Sequence, residues 1–135
     1  MAPRSLGYPF DVASSPAYAE HPDHKVEVDP QPSSVRVSFE GRVVAESQRA
    51  RVLHESRCPP RIYVPREDVD FALLESTDHT TWCPFKGQAS YHSIRLGDVV
   101  AENAVWSYED PFDEMAAIAG HLAFYGERVK IESPD

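Results

Sequence analysis

Cysteine is scarce in this sequence: Cys58 and Cys83 are the two in 135 residues, and no Cys-x-x-Cys pair occurs. A disulfide-stapled scaffold and a structural zinc knot are therefore excluded as the basis of the fold. Long apolar runs are missing as well, and nowhere do the roughly 18 consecutive apolar residues of a membrane helix occur. Basic charge is in deficit, with 13 Lys and Arg against 22 Asp and Glu and a net charge of -9. Bulk nucleic-acid binding needs a basic footprint, so nucleic acid and membrane are both set aside as partners. Met1 to Phe10 carries one arginine and no continuous apolar segment, so a secretory leader is not expected and the predicted location is cytoplasmic. Phosphate-cradling and dinucleotide-binding glycine loops and the Gly-x-Ser-x-Gly elbow are absent, and no long internal repeat recurs. No cofactor is indicated.

What remains is a chain with 41% hydrophobic residues, enough for one folded domain. Its charge is uneven. Seven arginines (36, 42, 49, 51, 57, 61 and 66) stand against three glutamates from Arg36 to Arg66, whereas fourteen acids stand against four basic residues from Glu67 onward. Mutual neutralisation across one packed domain is the simpler account, although arginine's planar fork keeps an anionic ligand open. Residues 1–34 hold six of the twelve prolines and no apolar periodicity, which predicts a mobile arm, with the domain spanning 35–132 and a short tail at 133–135.

From Val35 the pattern changes to short strands. Val35 to Phe39 alternates with period two, Glu40-Gly41 turns, and Arg42 to Ser47 returns as a hairpin. Arg51 to Glu55 and Arg61 to Val64 are further strands, separated by the Cys58-Pro59-Pro60 loop. Over 65–74, Val69, Leu73 and Leu74 share a helical spacing behind first-turn acids, which predicts a short helix. Ser76 to His79 reads as a turn, and Gly87 to Leu96, Gly97-Asp98 and Val99 to Trp106 form a second hairpin. A second short helix is predicted over 111–119, ended by Gly120 and followed by two last strands, 121–125 and 128–131. The expected fold class is mainly β, a small single domain of bent antiparallel sheets with two short helices.

Four blocks then occur in order: Tyr63-Val-Pro-Arg-Glu-Asp68, Thr81-Trp-Cys-Pro-Phe-Lys-Gly-Gln-Ala-Ser-Tyr91, Ala104-Val-Trp-Ser-Tyr108 with Pro111, and Ile118-Ala-Gly-His-Leu-Ala-Phe-Tyr125. Together they resemble the domain of unknown function 427 family over about residues 35–132. The resemblance implies an Mss4-like topology. Many Mss4-like proteins hold zinc on paired Cys-x-x-Cys motifs that this chain lacks, so zinc is not carried over. The family is sometimes labelled nucleotidyltransferase-like, which would require metal-binding carboxylates. Asp68-Val-Asp70 is the only Asp-x-Asp, and on a helix its side chains diverge, so acids at a helix start are the better account.

The sharpest chemistry lies in Cys83-Pro84-Phe85-Lys86-Gly87. A thiolate is the reactive form of cysteine and a nearby ammonium favours it, so Cys83 and Lys86 are the candidate catalytic pair. A small buried cysteine beside a solvated or paired lysine is the competing account. Tyr63, Tyr91, Trp106 and Tyr108 are the candidate walls of a small-molecule pocket, with Phe124 assigned to the core. Arg51 and Arg66 are the candidate contacts to an anionic substituent. His79, Cys83 and His92 make only a weak metal set, and His92 should point away from Tyr91's face. Cys58 reads as an exposed thiol. Three functions stay open: an enzymatic pocket, a non-catalytic ligand-binding or interaction module, and, ranked below both, nucleotidyl transfer.

Overall fold

The structure is a computed structural model that describes residues 14–133. Ten strands form two antiparallel sheets: β1 Val26–Pro30, β2 Val35–Phe39, β3 Arg42–Ser47, β4 Arg51–Glu55, β5 Arg61–Val64, β6 Leu74–Cys83, β7 Gly87–Leu96, β8 Val99–Ser107, β9 Leu122–Phe124 and β10 Lys130–Glu132. The large sheet runs β1-β4-β5-β9-β8-β7-β6 and the small one β10-β2-β3. The mainly β class expected from the alternating pattern is thus the observed one.

The turns explain the hairpins. Between β2 and β3, Glu40 and Gly41 have φ of 50° and 82°, the left-handed pair that matches the twist of a two-residue hairpin. In the β7–β8 turn Gly97 (φ 61°) is the one residue with positive φ. Alternation then sorts the side chains. Val64 on β5, Val105 on β8 and Phe124 on β9 join Val35, Val37, Phe39 and Val44 of the small sheet in a largely aliphatic core, and Phe124 is the core residue it was expected to be. Their neighbours Tyr63, Trp106 and Ala123 turn to the opposite face, where they join Leu53, Tyr91, Tyr108, Met115 and Ile118.

Four features differ from the sequence-based expectation. The segment 65–74 is not one helix but two 3-10 turns, Arg66–Asp68 and Phe71–Leu73, with Val69 extended between them. Val69 bridges to Ala45 and Asp70 N–H donates to the Val44 carbonyl, so pairing with β3 outcompetes the helical spacing. The segment 76–79 is not a turn; it lies inside β6, whose pairing with β7 is irregular between Ser76 and Thr80. The second predicted helix is a kinked 3-10 segment, Asp113–Ile118, with Met115 and Ile118 buried. Finally, the sheet takes in residues placed before the domain: β1 pairs with β4 from Val26↔Glu55 to Pro30↔Arg51, and one helical turn, α1 Ala17–Glu20, precedes it. The first thirteen residues of the predicted arm, and the last two of the tail, lie outside the described residues. Among the described residues no helix is long and apolar enough to cross a membrane.

The charge asymmetry is matched by ion pairs. Arg42 approaches Asp70, Arg49 pairs with Asp68 and Glu67, and Arg66 pairs with Glu109, each linking the arginine-rich and acidic stretches. These pairs are solvent-facing and each contributes at most about 1 kcal/mol.

Candidate functional site

The Cys83–Gly87 block is a tight turn joining β6 to β7. Lys86 N–H donates to the Cys83 carbonyl at 3.2 Å, and the Lys86 carbonyl accepts from Phe112 N–H at 3.1 Å. Gly87 has φ of 111°, a conformation that L side chains avoid, which lets the chain enter β7 directly. This geometry drives Lys86 inward, to 6% exposure. A buried ammonium needs a partner, and β4 supplies it: Lys86 Nζ donates to Glu55 Oε1 at 2.5 Å and stands 3.6 Å from Cys83 Sγ.

The second carboxylate oxygen of Glu55 is 2.8 Å from His24 Nε2. Burial by itself pushes the Glu55 carboxyl up, but the hydrogen bonds from Lys86 and His24 outweigh it and hold the group below the usual carboxylate range. His24 is in turn stacked on Phe85, with ring centres 4.0 Å apart. Tyr18 reaches the same turn, donating to the Phe85 carbonyl at 3.0 Å, and burial is the main cause that pushes its phenol up to about 12. Ser15 donates to the Pro84 carbonyl through its hydroxyl and to Glu114 Oε1 through its backbone N–H. Residues 15–24 therefore form a strap across the outside of the Cys83–Gly87 turn.

Inside the turn lies a concavity of about 270 Å³, bordered by Lys86 and Glu55, by Leu53, Tyr63, Tyr91, Trp106, Tyr108 and Tyr125, and by Cys58, Pro59 and Arg61. Trp106 Nε1–H donates to the Tyr63 hydroxyl at 3.1 Å, and Tyr91 exchanges a hydrogen bond with Thr81 at 2.9 Å. Burial raises the Tyr63 and Tyr108 phenols well above their ordinary value, so both are held as neutral O–H groups. Among the described residues the Tyr108 hydroxyl has no hydrogen-bond partner. Arg61 lies over the Trp106 ring, 5.7 Å from its centre, and Trp106 and Tyr125 are 4.5 Å apart.

The residues singled out from the sequence fall into three groups. Tyr63, Tyr91, Trp106, Tyr108 and Lys86 meet on the concavity. Cys83 packs against the same aromatic cluster, half-buried behind Lys86 rather than on the wall. Arg51 and Arg66 do not border it: Arg51 is exposed on β4, and Arg66 bonds Glu109 and the Gly120 carbonyl and covers Phe71. Arg61 occupies the position sought for them. His92 does point away from Tyr91, packing edge-on to Phe71, while His79 lies against Tyr91, so the weak His79, Cys83 and His92 set is dispersed. Glu55, Arg61, Tyr125 and His24 were not anticipated. For Glu55 a signal existed, since it follows Leu53 at period two on β4.

Asp68 and Asp70 also separate. Asp68 accepts from Ser47 and Arg49, while Asp70 accepts from Ala72 N–H. Among the described residues no group of three His, Cys, Asp or Glu side chains is placed to hold a metal ion. These residues do not fit a two-carboxylate metal centre.

Fold and site together define a two-sheet antiparallel β domain with an aromatic concavity centred on a buried lysine–glutamate pair. Residues 27–134 match the model of the family described as Domain of unknown function (DUF427), and the chain belongs to that family. No curated protein matches the chain. The strap, from Ser15 to His24, precedes the matched region.

Proposed function

We propose that this domain binds a small molecule in the concavity beside Lys86. The observation that carries this reading is the convergence of a buried Lys86–Glu55 pair and five aromatic side chains on one concave face. Buried apolar walls with a few fixed polar groups are the usual makeup of a ligand site. The wall supplies area, and the pair and phenols supply orientation. Lys86 is engaged by Glu55, which favours recognition over nucleophilic attack by its amine. Nucleotidyl transfer ranks lowest, because Asp68 and Asp70 serve separate partners.

Trp106 makes the reading testable. In a Trp82→Phe variant, Trp106 is the single tryptophan and reports on the concavity. A fragment set of neutral, anionic and cationic aromatic molecules should give at least one saturable change in its fluorescence, weakened by Lys86→Met. Loss of every saturable response in a protein that still unfolds cooperatively would overturn the proposal.

A second reading, a reactive thiol, is favoured by the 3.6 Å approach of Lys86 Nζ to Cys83 Sγ. Alkylation by iodoacetamide across pH, mapped by mass, separates Cys83 from Cys58. A Cys83 inflection well below the ordinary ~8.5 supports an activated thiolate, and an inert Cys83 removes it.

A further inference from the structure

We infer that the guest of this concavity is a small planar monoanion, with its ring against Trp106 and Tyr125 and its carboxylate on Arg61; this rests on the small-molecule reading above. Three observations carry it.

The first is charge. The groups bordering the concavity are one carboxylate, Glu55, and two cations, Lys86 and Arg61. Lys86 is neutralised by Glu55, whereas Arg61 has no carboxylate partner among the described residues. Arg36, Arg42, Arg49 and Arg66, from the same arginine-rich stretch, each meet an acid, and Arg51 and Arg57, which among the described residues meet none, do not border the concavity. One formal positive charge is left at the wall, and a guest with one negative charge balances it. A guanidinium suits a carboxylate through paired N–H donors.

The second is hydrogen-bond polarity. Lys86 has three N–H donors, of which one goes to Glu55 and one points toward Cys83. Tyr63 accepts from Trp106 and keeps its own O–H to donate, and the Tyr108 hydroxyl is unpaired among the described residues. Both phenols are protonated at neutral pH, as ordinary tyrosines are, and burial moves them further from ionisation. The inner wall therefore offers donors and wants an acceptor, a carbonyl, ether or phenolate-type oxygen on the guest.

The third is shape. Trp106 and Tyr125 lie 4.5 Å apart with ring planes tilted by 44°, and Arg61 sits over the same indole. A flat ring reaching Trp106 thus lies within reach of the guanidinium. A volume of about 270 Å³ admits one substituted ring and excludes a nucleotide with its sugar and phosphates.

The test uses the Trp82→Phe chain titrated with benzoate, benzamide, benzylamine and acetate, followed by Trp106 fluorescence. Benzoate should bind at least tenfold more tightly than benzamide, benzylamine and acetate should be weaker still, and Arg61→Gln should abolish the preference for benzoate while Arg61→Lys restores part of it. Equal binding of benzoate and benzamide would sink the anion assignment and leave the small-molecule reading standing. Acetate binding as tightly as benzoate would sink the planar requirement. If none of the four binds but a member of the wider fragment set does, the inference fails and the reading survives; if nothing binds at all, both fail.

Discussion

Tyr63 and Val64 are neighbours on β5, as are Val105 and Trp106 on β8, yet each pair divides between two unlike environments. Val64 and Val105 face the small sheet in a layer of aliphatic side chains. Tyr63 and Trp106 face the 3-10 segment, the turn at Lys86 and the concavity. The aliphatic face is closed by a second sheet and has no charged group among its buried members. The aromatic face is closed incompletely, and a lysine, a glutamate and a row of phenols border what is left open. Period-two alternation lets the same strands serve stability on one side and recognition on the other.

This contrast is breakable by substitution. The largest effect should come from the aliphatic face: Ile94, with 0% exposure, loses packing on Ile94→Ala and leaves a cavity, costing about 4 kcal/mol in urea denaturation. A cost under about 1 kcal/mol would mean that the layer can collapse. Next is Lys86→Met, which strands the Glu55 carboxylate. About 2 kcal/mol is expected, less than for a fully enclosed pair because His24 remains. The double variant Lys86→Met/Glu55→Leu should recover most of that loss, and a double variant as unstable as the single one would show that Lys86 acts through packing alone.

A smaller, pH-dependent effect separates the faces differently. Burial, then the nearby Arg66, lowers the His92 pKa below its ordinary 6.5, with Glu109 opposing, and the ring's Nδ1 is buried without a partner. The folded protein therefore binds fewer protons at this site than the unfolded chain as pH falls below 6.5, so stability drops through that window. His92→Gln should flatten the slope between neutral pH and pH ~5 in thermal melts; an unchanged slope would assign it elsewhere. Glu55 acts lower. Its depressed pKa contributes stability above the ordinary 4.5 that is lost as pH falls through the folded value.

The smallest pair compares two phenols. Tyr63→Phe removes the acceptor for Trp106 Nε1–H and should cost about 1 kcal/mol, while Tyr108→Phe removes an unpaired hydroxyl and should cost under about 0.5 kcal/mol. Reversal of that order in denaturant melts would mean that the Tyr108 hydroxyl has a partner in solution.

Legibility followed the range of the interaction. The hairpins at Glu40-Gly41 and Gly97-Asp98 are set by adjacent residues, and their strands are where the alternation puts them. The aromatic walls were readable for the same reason: Trp106 and Tyr108 share a face by spacing. The helix over 65–74 was misread because its apolar spacing is satisfied equally by two short turns, and the deciding contacts, Val69 with Ala45 and Asp70 with Val44, come from another strand. Arg61 could not be told from Arg51 or Arg66 in sequence. What distinguishes them is position in the packed sheet: Arg66 is engaged by Glu109, Arg51 is exposed away from the concavity, and Arg61 borders it. His24 was hidden by its setting among prolines, 31 residues from the glutamate it contacts.

The strap has a further consequence, for the order of assembly. Its contacts are among the longest in the chain: Tyr18 to Phe85 closes 67 residues, Ser15 to Pro84 closes 69, and Ser15 to Glu114 closes 99. Closing such loops is entropically slow, whereas the β7–β8 hairpin closes over a two-residue turn. Pulse-labelled hydrogen exchange during refolding should protect the amides of Ser90 to Leu96 before those of Ala17 and Lys25, and simultaneous protection would sink this order. The half of the binding face that strands provide is thus in place early in refolding, and the surroundings of the charged pair are completed only when the N-terminal segment docks, so a refolding chain passes through a stage with formed walls and an unsecured lysine.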